Sequence, residues 1–364
     1  MTVVASAPGR VNLLGEHTDY NQGLALPIAL TARTEVRFAS EDSGCLVVDA
    51  EGYGQLTIPV GTTPGEVDGW AAYVAGVAWS LGVEGRPVTG GRLHITSDVP
   101  VGAGLSSSAA LQCSLIGAFT AATGVPDRLT WARIAQRAEN DFVGAPTGLL
   151  DQLASLHGVA DRALLIDFDS LTVDPVPFDP TTAGVTLVVI DSHITHGHAG
   201  GEYAARRASC ERAAADLGLP NLRAVASGHP DVVLSAVHDD VDRRRARHVL
   251  TENTRVLRAC EALRDGDLAA VGAMMDASHT SMRDDFEITT PGIDLIAETA
   301  RSAGALGARM TGGGFGGCVI TLVETARVDT LVASVVAAAE RAGGPTPTAF
   351  TARAGRGASV DQLR

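Results

Sequence analysis

Gly9-Arg-Val-Asn-Leu-Leu-Gly-Glu-His-Thr-Asp-Tyr20 crowds Arg10, Asn12, Glu16, His17, Asp19 and Tyr20 among apolar residues, directly after the strand-like Val3-Val4-Ala5. Desolvating an unpaired carboxylate or guanidinium is expensive, so a stretch flanked by apolar residues normally buries few charges. Four ionisable side chains this close need partners: one another, or a polyhydroxyl or anionic ligand. Taken alone, the stretch reads equally as a charged surface turn. The glycine-rich segments further along the chain decide between these readings.

The first of them is Pro100-Val-Gly-Ala-Gly-Leu-Ser-Ser-Ser-Ala-Ala110, two glycines and three serines ahead of a helical pattern. A glycine-rich turn lets the backbone approach an anion, and a helix N-terminus offers unpaired N–H groups and a positive dipole end. Ser108 adds a hydroxyl suited to a magnesium ion. The plainer alternative is an N-capped helix with Gly102 and Gly104 as turn residues. In Met310-Thr-Gly-Gly-Gly-Phe-Gly-Gly-Cys318, read as lying between a helix and a strand, five of six consecutive residues are glycine. That composition costs conformational entropy, which a close backbone approach to a ligand explains better than flexibility does. The third segment is Glu139 followed by Gly148-Leu-Leu-Asp151-Gln152. Glu139 falls near the end of an amphipathic helix, and Asp151 sits among leucines. A carboxylate so enclosed is paired or functional, unless Asp151 is an N-cap.

The chain contains no lysine. This excludes a Walker A loop, the strand lysine of a protein kinase, and Schiff-base or pyridoxal-phosphate chemistry. Any phosphate handled here is held by backbone N–H groups, arginine, hydroxyls and a metal ion. The formal charge of −14 argues against nucleic acid and anionic membrane as partners. The run Arg243-Arg-Arg-Ala-Arg-His248, preceded by Asp239, Asp240 and Asp242, reads as a solvated helix face. Five cysteines without a Cys-x-x-Cys pair fit free thiols in a reducing cytoplasm. The first ten residues lack a basic n-region and do not read as a signal peptide. His193-x-x-His196-x-His198 has metal-ligand spacing, but no carboxylate or thiol obviously completes a site, so it reads as an exposed loop.

With 364 residues the chain has material for about two domains. Periodicity predicts strands at 55–59, 92–96, 163–167, 185–191, 318–322 and 348–351. It predicts helices at 70–81, 107–123, 131–142, 202–217, 241–264, 267–282, 291–303 and 327–342. The Pro- and Asp-rich residues 174–184 are the best candidate for a boundary. The pattern is α+β with two lobes.

Together these motifs resemble the GHMP small-molecule kinases, and within them the galactokinase family. Segments 100–110 and 311–318 are similar to motifs shared across the superfamily, whereas 9–20 and Glu202-Tyr-Ala-Ala-Arg-Arg207 are similar to the galactokinase branch. Gln22 departs from it, standing where glycine is common, and the loop at 193–198 has no counterpart in the pattern. The resemblance implies a two-lobed fold, with a mixed-sheet N-terminal domain at 1–180. A ferredoxin-like α/β domain follows at 181–364, with the active site between them. It implies Arg10 and Asp151 beside the reacting hydroxyl, Asp151 as general base. It also implies Glu16, His17, Asp19, Tyr203 and Gly148 around the sugar. For ATP it implies Pro100, Gly102, Gly104, Leu105, Ser106, Ser107, Ser108, Gly313 and Gly314, and for Mg²⁺ Ser108 and Glu139. The expected activity is phosphorylation of galactose at its anomeric oxygen by a cytoplasmic monomer, with galactose and ATP as its binding partners. A related N-acetylgalactosamine kinase and a non-catalytic galactose and ATP sensor are the alternatives.

Overall fold

The computed structural model describes residues 2–194, 199–225 and 230–363. Strand β1 (Thr2–Asn12) does not stop before the charged motif but runs through its first four residues. Its first half alternates in burial, and from Ala7 onward every residue is buried. Beyond it come the short β2 (Leu24–Ala25) and the long β3 (Pro27–Ser40), which returns antiparallel to β1. The register between β1 and β3 shifts between Pro8 and Arg10. A bulge of this kind re-aims the side chain that follows it. Here that residue is Arg10.

The hairpin β4 (Cys45–Ala50)–β5 (Gly54–Pro59) joins the sheet in parallel with β6 (Gly91–Ser97), which pairs with β3. Helices α1 (Trp70–Val83), α2 (Ser107–Thr120), α3 (Arg128–Arg137) and α4 (Leu150–His157) supply the apolar cover. The predicted helix 131–142 is two elements, since α3 gives way to a π-helical turn, Ala138–Val143, that contains Glu139. Sequence periodicity does not distinguish the two windings. The candidate boundary 174–184 is not a linker in its first half. Strand β8 (Thr172–Pro177) pairs there with β7 (Arg162–Asp167), which in turn pairs with β2.

In the C-terminal lobe, β9 (Val185–Asp191) is followed by a helical excursion of α5 (Ala199–Asp216), α6 (Pro230–Leu234), α7 (Asp240–Asp265), α8 (Leu268–Asp284) and α9 (Pro291–Ser302). Then come β10 (Gly307–Thr311), β11 (Cys318–Glu324), α10 (Val328–Arg341) and β12 (Thr348–Ala352). The sheet order β10-β11-β9-β12 on a β-α-β-β-α-β chain is the ferredoxin-like arrangement, with α5 to α9 in the first crossover. The glycine-rich segment at 311–318 therefore joins two antiparallel strands, β10 and β11, and not a helix and a strand.

Division near residue 180 separates the two large sheets with one exception. The last strand, β13 (Ser359–Leu363), crosses back to pair with β1 in the N-terminal sheet. An apolar seam of Val11, Leu13, Leu14, Leu105, Leu187, Val189, Val256 and Ile320 runs between the lobes. The charged turn lies against this seam, which is why it is buried.

Candidate active site

The bulge at Gly9 brings β1 against the glycine-rich loop ahead of α2. A Cβ on Gly9 would meet the Leu105 carbonyl at 2.6 Å, and the Arg10 N–H donates to that same carbonyl at 3.1 Å. Arg10 is buried, and its Nη1 donates to the Gly104 carbonyl at 2.6 Å. Its Nε and Nη2 both reach Asp151 Oδ1, at 2.8 and 2.6 Å. Asp151 is the second residue of α4, whose N-cap is Leu149, so the capping alternative does not hold. The Ser106 hydroxyl donates to the other oxygen, Asp151 Oδ2, at 2.5 Å. Ser106 takes a left-handed backbone (φ 59°) and makes no side-chain cap on α2. The expected phosphate ligand Ser106 thus turns its side chain to the carboxylate, while Ser107 and Ser108, the first residues of α2, line the cavity.

The polar groups of the 16–20 turn are paired mainly among themselves, with Asn12 and with the glycine-rich segment at 311–318. Glu16 Oε2 accepts from Asn12 at 2.5 Å, and Oε1 accepts from the Gly312 N–H at 2.8 Å and the Thr311 hydroxyl at 3.2 Å. Arg309, fully buried on β10, comes within 3.3 Å of Oε1 and donates to the Asn12 and Leu13 carbonyls. Sequence reading missed Arg309 because a lone arginine in a strand carries no signal of its own. His17 donates Nε2–H to the Gly313 carbonyl and accepts from the Tyr20 hydroxyl at Nδ1. Burial pushes its imidazole down to about 3, so the ring is neutral. Burial, together with the charges of Asp151 and Glu16, pushes Asp19 up to about 6. Gly148 is where Asp19 lies against the chain, for a Cβ there would sit 1.7 Å from Asp19 Oδ2.

Arg10, Glu16, His17, Asp19, Ser106, Asp151, Gly148, Tyr203 and Gly313 line one cavity of about 520 Å³. Gly102, Gly104, Leu105, Ser107 and Ser108 line it as well. Pro100 and Gly314 do not. A Cβ on Gly314 would press on Ile288 at 2.8 Å and one on Gly316 would meet the Ile194 carbonyl at 2.2 Å, so these glycines serve packing within the protein. Gly312 and Gly317 instead face the main chain at Gly104 and Ala103, holding the two glycine-rich loops together. Glu139 lies behind Ser108 and hydrogen-bonds its hydroxyl; Gln152 approaches at 3.5 Å. Burial and the nearby Asp151 charge push Glu139 up to about 7.

A second cavity, of about 370 Å³, opens on the other side of the α2 N-terminus. Tyr53, Trp70, Tyr73, Ile95, Val99 and Leu111 make it apolar, and Tyr73, Ser107 and Ser108 border both cavities. Sequence reading missed this pocket, although aromatics are only 4% of the chain and two of them stand at 70 and 73. Of the histidine motif, His193 pairs with Asp191 and the Thr348 hydroxyl, while His196 and His198 lie outside the described residues. Among the described residues no three His, Cys, Asp or Glu side chains cluster as a metal cage.

Three family models match the chain: the galactokinase galactose-binding signature over residues 1–39, the GHMP kinase N-terminal domain over 72–159 and the GHMP kinase C-terminal domain over 259–341. A galactokinase of Mycobacterium bovis is 58% identical, with 99% of each chain covered. One of Streptomyces coelicolor is 44% identical over 98% of this chain and 93% of the relative. The crystal structure of Lactococcus lactis galactokinase complexed with galactose superposes with a TM-score of 0.92 at 30% identity, covering 98% of this chain and 95% of that one. Mevalonate kinase of Methanococcus jannaschii shares the fold at a TM-score of 0.69 and 17% identity. The chain belongs to the galactokinase family of the GHMP kinases.

Proposed function

We propose that the larger cavity holds α-D-galactose between Asp19, Tyr203 and Asp151, and that ATP lies across the head of α2 with its base in the aromatic pocket. The reaction transfers the γ-phosphoryl group to the anomeric oxygen, giving galactose 1-phosphate and ADP. One observation carries this reading. A carboxylate fixed by a guanidinium on one oxygen and a hydroxyl on the other stands between a polar, acid-lined pocket and a glycine-rich helix start.

Asp151 Oδ1 is occupied by Arg10, whereas Oδ2 takes a single donor, Ser106, and keeps a lone pair for a sugar hydroxyl. The anomeric O–H oxygen forms the bond to phosphorus, the bond to the ADP oxygen breaks, and Asp151 Oδ2 takes the proton. The loose transition state of phosphoryl transfer puts proton transfer late, so orientation of the hydroxyl by Asp151 is the larger contribution. Arg10, one face towards Gly104, is placed to stabilise charge on the transferring group.

Ser108 and Glu139 suit Mg²⁺: a buried carboxylate beside the Ser108 hydroxyl, with the Asp151 carboxylate nearby, is the oxygen donor chemistry of a hard divalent ion. Bound there, the ion would neutralise phosphate charge in a chain that has no lysine to do so. The test is a coupled ADP-release assay over a sugar panel. Galactose supports turnover and 1-deoxygalactose does not. Turnover with the 1-deoxy sugar, or with N-acetylgalactosamine in preference to galactose, overturns the assignment.

A further inference from the structure

Helix α7 supplies no group to the chemistry above, and its Arg243–His248 stretch was expected to be a solvated face. Its four arginines are half-buried and meet counter-charges, Arg243 at Asp240, Arg244 and Arg245 at Glu287, and Arg247 at Asp231 and Asp285. Asp242, against Arg212 and Ser209, and His248 are buried. One turn further on, a buried face of the helix reaches the main chain of the turn that carries Glu16, His17 and Asp19.

Three side chains make that contact. Glu252, fully buried, accepts the Gly15 N–H at 2.9 Å and the Ser278 hydroxyl at 2.7 Å on Oε1, and the Arg255 Nε–H at 2.6 Å on Oε2. His248, four residues earlier and so on the same helix face, donates Nε2–H to the Glu16 carbonyl at 3.2 Å. Asn253 accepts the Leu24 N–H at 2.8 Å and closes over Gly23, where a Cβ would lie 2.5 Å from its Oδ1. Phe286 fills the space between the rings of His17 and His248, with centroids 4.9 and 4.6 Å away.

The turn requires such support. Gly15 has φ +98°, with the Leu24 carbonyl 2.4 Å from where a Cβ would be, and His17 has φ +60°. A non-glycine residue in the left-handed region is strained and persists only where its surroundings impose it. A helix there merely to pack would do so with apolar side chains, because a buried carboxylate is costly to desolvate. What a carboxylate offers instead is a strong, directional acceptor for the Gly15 N–H.

We propose that His248, Glu252 and Asn253 are positioning residues that hold the turn of Glu16, His17 and Asp19 in its strained shape, so that α7 sets acceptor affinity and leaves nucleotide binding untouched. This rests on the assignment of the Asp19 end of the cavity to the sugar. The experiment compares wild type, Glu252→Ala, Glu252→Gln and Asn253→Ala by KM for galactose, KM for ATP, kcat and Tm.

Glu252→Ala is expected to raise the galactose KM by about tenfold, the equivalent of roughly 1.4 kcal/mol. The ATP KM stays within about twofold of wild type. Glu252→Gln, whose amide oxygen still accepts the Gly15 N–H, recovers most of the loss while Arg255 moves off the amide nitrogen. Asn253→Ala shows the same split at about threefold. Should Glu252→Ala fail to fold, Asn253→Ala decides, since Asn253 lies at the rim of the buried face. A parallel rise in both KM values, or a galactose KM unchanged in the folded variants, overturns the proposal. If wild type turns over a different sugar, the functional assignment fails on its own, and the split is read on that sugar's KM.

Discussion

Asp19 shows how the site trades stability for binding. Burial raises its pKa to about 6, above the unfolded value of 3.8. A carboxylate raised in the folded state penalises the fold at high pH, and the penalty is relieved as pH falls through 6 towards 4. Sugar hydroxyls, by contrast, are bound best by the ionised form, which accepts at both oxygens. The galactose KM of wild type is therefore expected to rise as pH drops below about 6. Asp19→Asn, nearly the same size beside Gly148, removes that inflection. It should raise the galactose KM by about tenfold or more at neutral pH, the cost of losing a charged acceptor. The same variant should melt higher than wild type at pH 8, because it no longer buries a charge. A variant that melts lower at pH 8, or keeps the acid limb, refutes this account of Asp19. His17 adds no inflection near neutrality, since its pKa of about 3 keeps it neutral throughout.

The β10–β11 hairpin separates what glycine does for the fold from what it does for the site. Gly316 (φ +148°) faces the Ile194 carbonyl, so Gly316→Ala combines backbone strain with a collision against a carbonyl that also accepts the Gly317 N–H at 3.1 Å. The expected cost is about 3 kcal/mol or more, read as a lower Tm. Gly313 has ordinary φ, and its nearest neighbour, Tyr203, is 3.9 Å from the position of a Cβ. Gly313→Ala should melt like wild type and lose turnover instead, because the added methyl enters the cavity. Equal Tm losses for the two would remove the distinction. The sequence marks the hairpin as a glycine-rich segment, of which Gly312 and Gly313 line the cavity; its anchoring strand is not legible there, because Gly307-Ala-Arg-Met-Thr311 places an arginine inside a core. Only the finished packing, with Arg309 against Glu16 and the Asn12 carbonyl, makes that arginine tolerable. The 9–20 cluster was readable because its charges stand close together in sequence. The α7 clamp was not, since Glu252 and Gly15 are 237 positions apart. Likewise the sequence does not show that His248, at the end of an arginine run, turns inward to the Glu16 carbonyl.

At the scale of the molecule, the path of the last residues decides how the lobes are joined. From β12 in the C-terminal sheet the chain crosses to the N-terminal lobe, where Gly355 lies against the Leu30 carbonyl and Gly357 against the Leu156 carbonyl. Arg33 fastens this crossing by donating to the Arg356 and Gly357 carbonyls at 2.8 and 2.9 Å. Only then does β13 pair with β1, from Ser359 opposite Ser6 to Leu363 opposite Thr2. Nothing in Ser359-Val-Asp-Gln-Leu363 announces a strand, because a short polar edge strand is specified by its partner, and that partner is at the far end of the sequence. Removing residues 359–364 strips Val360 from its place beside Gly117 and Trp131 and leaves β1 as an exposed edge. The lost apolar burial and ladder bonds amount to roughly 2–4 kcal/mol, so Tm should fall by several degrees. Light scattering should rise as open edges pair between molecules. Catalysis should persist, however. The bulge that aims Arg10 lies beyond the paired stretch of β1, and the Arg33-bound crossing remains in place. At 25 °C, kcat of the soluble truncated protein is expected within about twofold of wild type. A large drop in kcat while the protein is still folded would mean that β13 tensions the site through β1, and the crossing alone would no longer account for how the lobes are held.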